Sequence, residues 1–191
     1  MPVLLLQIVN IAGLLTLLGI SLGIVIYYLI SFYLVIRFWG YYAPYVPSPN
    51  TSLIPLATQI VLKDTDVCVE VGCGDGRFLA LMAKNYPLAT CIGLEINLFP
   101  YVRAKIRCLR LKNMRVYRQN MFTYDFSKAT VLYCYLFPET LTKLYPKLKK
   151  ELPKGARLYS LDFPIKNLEP SKTLDLGQKH LRGKTLYMYE F

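Results

Sequence analysis

The chain has 191 residues, 54% hydrophobic and 18% charged, with a net charge of +11; this accommodates one domain of ordinary size and excludes a multidomain architecture. Its aromatic content of 14% and its many Leu, Ile and Val residues exclude intrinsic disorder. The charge is unevenly placed: Arg37 is the only charged residue among the first 40, so the rest of the chain carries 22 basic against 12 acidic residues, a net +10.

Val3 to Val35 is apolar, and about 20 such residues suffice to cross a bilayer as a helix. One membrane span is therefore expected within residues 1–40. Its C-terminal half is crowded with Tyr27, Tyr28, Phe32, Tyr33, Phe38, Trp39, Tyr41 and Tyr42, rings that favour the headgroup level. A secretory signal would need a basic flank and a small-residue cleavage site, and a mitochondrial presequence would be Arg-rich; neither pattern is present. Basic residues follow the helix and only the terminal amine precedes it, which by the positive-inside rule puts the following domain on the cytoplasmic side. Gly19 and Gly23 form a G-x-x-x-G step on which another helix can pack, although glycine is also ordinary in membrane helices.

Four prolines between Tyr41 and Pro55 stop the helix. Residues 41–62 read as a Pro-rich segment followed by a short helix, Ser52–Leu62, capped by Thr51 or Ser52. In residues 63–191 strand-like and helical runs alternate: Val67–Val71, Phe78–Asn85, Ala89–Glu95, Phe99–Leu111, Met114–Arg118, Val131–Leu136, Glu139–Lys150 and Arg157–Asp162. That alternation predicts an α/β fold with a parallel sheet and crossover helices. At the end, Lys172–His180 and Lys184–Phe191 flank Leu181–Arg182–Gly183 and are expected to form an antiparallel hairpin. Cys68, Cys73, Cys91, Cys108 and Cys134 form neither a CxxC pair nor a cluster with the single histidine, His180. They suggest neither a disulfide framework nor a metal site, and read as small apolar residues of a reduced protein.

The run Glu70-Val71-Gly72-Cys73-Gly74-Asp75-Gly76-Arg77 lies between a predicted strand and a predicted helix. Three glycines there permit a tight turn and a close approach of ligand atoms to bare backbone. Glu95 follows Gly76 by 19 positions, at the end of the second predicted strand, where a carboxylate can accept both hydroxyls of a ribose. Glu70 within a strand is costly if buried without a partner, and is otherwise edge-facing or solvated. A nicotinamide-dinucleotide fold would use G-x-G-x-x-G, whereas here the third glycine comes one residue early.

These residues resemble the first motif of the class I, seven-β-strand S-adenosylmethionine-dependent methyltransferases, acid-x-Gly-x-Gly-x-Gly. The resemblance covers about Tyr45 to Phe191 and implies a Rossmann-like seven-stranded sheet with a C-terminal antiparallel hairpin. It implies that Glu70, Gly72, Cys73, Gly74, Asp75 and Gly76 hold the methionine part of S-adenosyl-L-methionine, Glu95 the ribose, and Asn120 with Met121 the adenine edge. A narrower resemblance lies in Ala43-Pro44-Tyr45-Val46-Pro47-Ser48-Pro49, in Gly93-Leu94-Glu95-Ile96-Asn97, and in Leu136-Phe137-Pro138 with Glu151-Leu152-Pro153 and Gly155-Ala156. With the apolar N-terminal helix, these are similar to the small membrane-anchored protein-lysine methyltransferases of the mitochondrial ATP synthase c-subunit and adenine nucleotide translocase type, and to their prokaryotic relatives. That family often carries Gly-Ser-Gly where this chain has Gly72-Cys73-Gly74. The resemblance adds Asn97 to the cofactor residues and, for a eukaryotic chain, implies the mitochondrial inner membrane.

Methyl transfer needs an acceptor lone pair about 3 Å from the methyl carbon, so catalysis is mostly positioning, aided by removal of the acceptor's proton. Tyr45, Tyr135 and Asp162 are the candidates, near the carboxyl ends of strands where ligands bind in open α/β sheets. Tyr45 also reads as an interfacial aromatic, Tyr135 with Tyr133 as strand packing, and Asp162 as a solvated strand-end acid. The Asp-Pro-Pro-Tyr motif of many nucleic-acid amino methyltransferases is replaced by Leu136-Phe137-Pro138, which argues against nucleic acid as the acceptor. Lys143, Lys147, Lys149 and Lys150, with Arg103, Lys105, Arg107, Arg110 and Lys112, suit an anionic membrane surface or are solvated helix faces. The sequence thus predicts a membrane-anchored methyltransferase of protein lysines. Its alternatives are a lipid-headgroup or small-molecule methyltransferase, an RNA methyltransferase, and a non-enzymatic membrane scaffold.

Overall fold

The computed structural model describes residues 2–39, 48–177 and 182–191, with side chains of the first stretch described from 11 to 33. The chain divides into two compact units, Met1–Tyr42 and Ala43–Phe191.

The first unit is the helix α1 (Pro2–Trp39). Within it Ile11–Tyr33 has a mean hydropathy of 2.2 over its most apolar window, and none of that window is buried. A helix apolar on all sides and buried against nothing has no face suited to water, and this one is long and apolar enough to cross a membrane. Thr16 Oγ1 and Ser21 Oγ donate to the carbonyls of Ala12 (2.7 Å) and Leu18 (2.9 Å), which keeps both hydroxyls satisfied inside the helix.

In the second unit α2 (Asn50–Gln59) precedes an alternating series: β1 (Val67–Val71), α3 (Arg77–Asn85), β2 (Thr90–Glu95), α4 (Leu98–Cys108), β3 (Met114–Arg118), β4 (Val131–Cys134), α5 (Pro138–Glu151), β5 (Arg157–Leu161), β6 (Lys172–Asp175) and β7 (Thr185–Glu190). The sheet order is β3-β2-β1-β4-β5-β7-β6. The first five strands run parallel, β7 runs antiparallel to β5, and β6 antiparallel to β7. Both faces are covered, so the strand residues alternate between two cores. Cys68, Tyr133 and Tyr159 pack with Leu56, Leu79 and Met82 on one face; Val69, Leu132 and Leu158 pack with Leu141, Leu144 and Leu148 on the other. β1 is central, with β2 and β4 on either side, and the chain order reverses there. The crevice at the carboxyl ends of such strands is where open α/β sheets bind ligands.

The expected α/β sheet and terminal hairpin are present, with local corrections. α2 starts at Asn50 because Pro49, with φ −58° and ψ 135°, is its N-cap and makes no side-chain cap bond. Ser52, expected to cap, is instead fully buried in the first turn. β4 stops at Cys134 rather than Leu136, since the extended Phe137 already leads into Pro138 at the start of α5. β7 starts at Thr185 rather than Lys184 because the amides of Gly183 and Lys184 are taken by the Asp162 carboxylate, and β6 ends at Asp175, whose side chain accepts from Gly177 N. His180 and Leu181 lie outside the described residues. All five cysteines are free thiols, and burial pushes Cys91 and Cys134 up to about 12, which keeps them protonated core residues.

Candidate active site

The glycine loop leaves β1 in a left-handed conformation at Gly72 (φ 73°), Gly74 (φ 56°) and Gly76 (φ 74°), which residues with a Cβ adopt only at a cost. The amides of Gly72 and Cys73 both donate to the Leu94 carbonyl at 2.9 Å, so the loop is tied to the end of β2. Gly76 serves packing more than ligand access: an added Cβ would lie 3.0 Å from Ala104 Cβ of α4 and 3.1 Å from Met114 Cε.

Glu95, 5% exposed, closes the loop from the other side. Its Oε2 accepts from Gly74 N (2.9 Å), and its Oε1 from Ile96 N (2.9 Å) and Asn97 N (2.7 Å). An ionised carboxylate offers about four acceptor positions, so three are already engaged by backbone. The sequence reading gives this acid both ribose hydroxyls; the geometry makes it first the staple of the loop. Asn97 contributes that amide and stands, extended, as the N-cap of α4.

Glu70 occupies the central strand, 6% exposed, so the edge-facing or solvated alternative does not hold. Its Oε2 accepts from Leu79 N at 3.1 Å, yet burial pushes the carboxyl well above the usual carboxylate range. Its partner across the β1–β4 ladder is Tyr133, buried, with a phenol raised by burial and then by Glu70. The Tyr133 hydroxyl is 3.4 Å from Ser48 Oγ. Asp75 forms an ionic clamp: Oδ1 meets Arg77 Nε (3.0 Å), Oδ2 meets Arg107 Nη2 (3.2 Å), and Arg107 Nε donates to the Asp75 carbonyl (2.9 Å). Arg77 also donates to Asn50 Oδ1, which links α2 to the loop.

An open depression lies over this loop. Its wall brings together Glu70, Gly72, Cys73, Gly74, Asp75 and Tyr135 of the expected site and adds Ser48, Leu53, Arg77 and Phe78. Asn120 and Met121 are not in that wall but follow Gln119, whose amide donates to the Glu95 carbonyl (3.2 Å): Asn120 is exposed and caps a 3-10 turn by accepting from Phe122 N (3.0 Å), and Met121 packs against the second core. Tyr45 lies outside the described residues.

Beside the depression Tyr135 stacks on Phe163, with centroids 5.8 Å apart and planes at 15°, and Phe137 meets Phe163 at 5.9 Å with planes at 42°. Burial and then the neighbouring Asp162 carboxylate raise the Tyr135 phenol, which therefore stays protonated at neutral pH. Asp162 is half-buried and has φ 60°. It accepts from Gly183 N (2.6 Å), Lys184 N (2.8 Å) and Thr185 N (3.2 Å), so it pins the hairpin and is no solvated end-of-strand acid.

These residues fit S-adenosylmethionine. A buried carboxylate whose ionisation is opposed by desolvation is relieved by an ammonium group, and Glu70 would suit the amino end of the molecule on those terms. Gly72 presents exposed backbone where a side chain would point at Leu136. Sequence reasoning missed Gly93, where an added Cβ would fall 2.7 Å from Cys73 Sγ and 2.9 Å from Leu79 Cδ2. Glycine within a strand was the available signal for such close approach. It also missed the second ring of the aromatic wall, Phe163, which follows Asp162 in sequence but is brought to Tyr135 only by the β4–β5 pairing.

Residues 70–172, more than half of the chain, match the ANTKMT methyltransferase domain. A protein-lysine N-methyltransferase of Saccharolobus islandicus is 28% identical over 152 residues, covering 78% of this chain and 93% of that protein. The adenine nucleotide translocase lysine N-methyltransferase of Mus musculus is 30% identical over 112 residues, 57% of this chain and 48% of that enzyme. The chain thus spans nearly all of the first relative and about half of the second. Among solved structures, an RNA methyltransferase of Salinibacter ruber in complex with S-adenosyl-L-homocysteine superposes with a TM-score of 0.68 at 28% identity, over 76% of this chain and 93% of that one.

Proposed function

The chain belongs to the ANTKMT methyltransferase domain family and is an S-adenosylmethionine-dependent methyltransferase; on that premise we propose that it methylates lysine side chains of a protein at or in a membrane crossed by α1. The observation that carries this reading is the adjacency of two unlike sites at the carboxyl ends of β1, β4 and β5. One is the glycine loop with Glu70, which suits the cofactor; the other is the aromatic wall of Tyr135, Phe163 and Phe137 backed by Asp162, which suits an amine.

When bound, S-adenosylmethionine supplies an electrophilic methyl on a sulfonium. Glu70 and the exposed backbone at Gly72 would hold its methionine end, and Glu95 would keep the loop in shape while offering its remaining acceptor position to a ribose hydroxyl. The Tyr135 hydroxyl, which keeps its own proton, would accept a hydrogen bond from an amine that has already given its proton to solvent, and would so orient the amine lone pair toward the methyl. Phe163 and Phe137 exclude water and favour a cation against their faces. Asp162 supplies local negative charge in a chain of net +11, which otherwise repels a lysine.

Support for lysine as acceptor comes from the activities of the two named lysine methyltransferases. Support for crossing comes from the 23 apolar residues Ile11–Tyr33, with the basic domain following on the cytoplasmic side. Gly19 and Gly23, one helical turn apart with open space around each, let a second membrane helix approach closely. The test is the full chain in phosphatidylcholine–phosphatidylglycerol proteoliposomes with methyl-labelled cofactor and a membrane extract. Label is expected on lysine in the protein fraction, and label confined to lipid refutes the lysine reading. RNA is the second reading, favoured by the similarity to the Salinibacter ruber enzyme and by the basic surface; label in nucleic acid, with binding that falls steeply with salt, would establish it instead.

A further inference from the structure

α4 has two apolar faces, and only one of them is used. At about 3.6 residues per turn, Pro100, Ala104 and Cys108 share the face turned to the sheet, where Pro100 and Ala104 are buried and Cys108 packs on the core. On the opposite face stand Phe99 (84% exposed), Ile106 (61%), Leu98 (55%) and Val102 (44%), continued by Leu109 (85%), the C-cap residue that keeps helical dihedrals. Their spacing confines them to a stripe roughly 100° wide. Isolated exposed apolar residues need no explanation, but a contiguous stripe along one helix does. Lys105 borders the stripe on one side, and Arg103 and Arg110 on the other. All three are exposed and appear in no ion pair among the described residues. Residues 98–112 hold five basic and no acidic side chains.

We propose that this face of α4 is a membrane-docking surface: Phe99, Val102, Ile106 and Leu109 enter the interfacial region of an anionic bilayer while Arg103, Lys105 and Arg110 hold lipid phosphates. An amphipathic helix lies in the membrane plane on these terms, apolar side down with basic residues at its flanks. Charge selects the occupant. A second copy would bring the same cationic rim against this one, and an acidic apolar surface of large area is what a bilayer offers. The helix starts at the carboxyl end of β2, with Phe99 four residues beyond Glu95, so a bilayer on this face has the catalytic end of the sheet at its rim. The surface deepens the membrane part of the proposed function, and it names a contact separate from α1.

The test places a tryptophan reporter at Phe99→Trp in a Trp39→Phe background of the full chain, since Trp39 is the only native tryptophan. The protein is reconstituted in vesicles with brominated acyl chains, either pure phosphatidylcholine or with phosphatidylglycerol added. Strong quenching at position 99 is expected in the anionic vesicles and weak quenching in the neutral ones. Arg103→Gln/Lys105→Gln/Arg110→Gln is expected to lose most of it, because each basic residue near the surface contributes roughly fivefold in binding. Arg107 is left intact because it clamps Asp75. An unquenched position 99 in both vesicles overturns the proposal, as does quenching that ignores lipid charge and the triple variant. Blue-shifted, unquenched emission that depends on protein concentration overturns it in favour of a protein partner or a second copy. Trp39 quenching in the otherwise unmodified chain reports α1 insertion by itself, so failure of that reading is told apart from failure of this one.

Discussion

Glu95→Gln separates the stapling role of this side chain from any contact with a ligand. Gln keeps the shape but offers one carbonyl oxygen and an NH₂ group where the carboxylate offered two acceptors. The carbonyl can still take Ile96 N and Asn97 N, as Oε1 does at 2.9 and 2.7 Å, and the NH₂ then faces the buried Gly74 N–H, a donor against a donor. An unsatisfied buried amide costs about 1–3 kcal/mol, and the two remaining bonds lose their charge-assisted character, which roughly halves each. The total is about 2–4 kcal/mol. In a domain of about 150 residues each kcal/mol moves Tm by roughly 2–4 °C, so the melting temperature falls by about 4–16 °C. Near-ultraviolet circular dichroism of the full chain in detergent measures this. Calorimetric titration with S-adenosylhomocysteine is expected to show at least about a tenfold weaker Kd, because the cost of the unpaired Gly74 amide falls on the loop that must receive the ligand. A variant that melts within about 1 °C of the native protein refutes the stapling argument, whatever happens to the ligand.

Three further outcomes follow from the same geometry. Gly76→Ala forces a Cβ onto a residue with φ 74° and to within 3.0 Å of Ala104, and is expected to cost about 2–4 kcal/mol by chemical denaturation; a loss under about 1 kcal/mol would mean that α4 yields easily. Burial raises the Glu70 carboxyl above its unfolded value, so the folded state binds the extra proton. Stability of the free protein therefore declines as pH rises from the ordinary carboxylate range through the raised value, and cofactor affinity climbs over that same window as Glu70 ionises against an ammonium. Glu70→Gln is expected to flatten both profiles, and unchanged profiles in the variant would show that another group titrates. Tyr135→Phe keeps the ring on Phe163 and removes the hydroxyl, so kcat is expected to fall about 10²-fold through misplacement of the amine while the Kd for S-adenosylhomocysteine stays unchanged; an unaltered kcat removes Tyr135 as the group that orients the amine.

The glycine loop was readable in sequence because its constraint is local: glycine adopts a left-handed φ at the lowest cost, and the strand before and helix after it announced the context. Glu70 was visible as an acid in a strand but its burial was not, since that depends on β1 being central. Asp162 looked like a strand-end acid because its three amide donors come from Gly183, Lys184 and Thr185, far along the chain. Asn120 and Met121 carried a cofactor role from resemblance alone, and the structure puts them on a turn outside the wall of the depression.

The sequence by itself determined the uncharged span of α1, the parallel α/β order and the position of the loop, because apolar length, strand–helix alternation and glycine stereochemistry each act within a few residues of one another. Only the tertiary structure decided that Glu95 spends three acceptor positions on backbone, that Tyr135, Phe163 and Asp162 meet beside Glu70, and that α4 keeps an apolar face uncovered. Those facts are set by strand order and by the packing of distant segments, in which each side chain's partners come from elsewhere in the chain, and no local pattern encodes them.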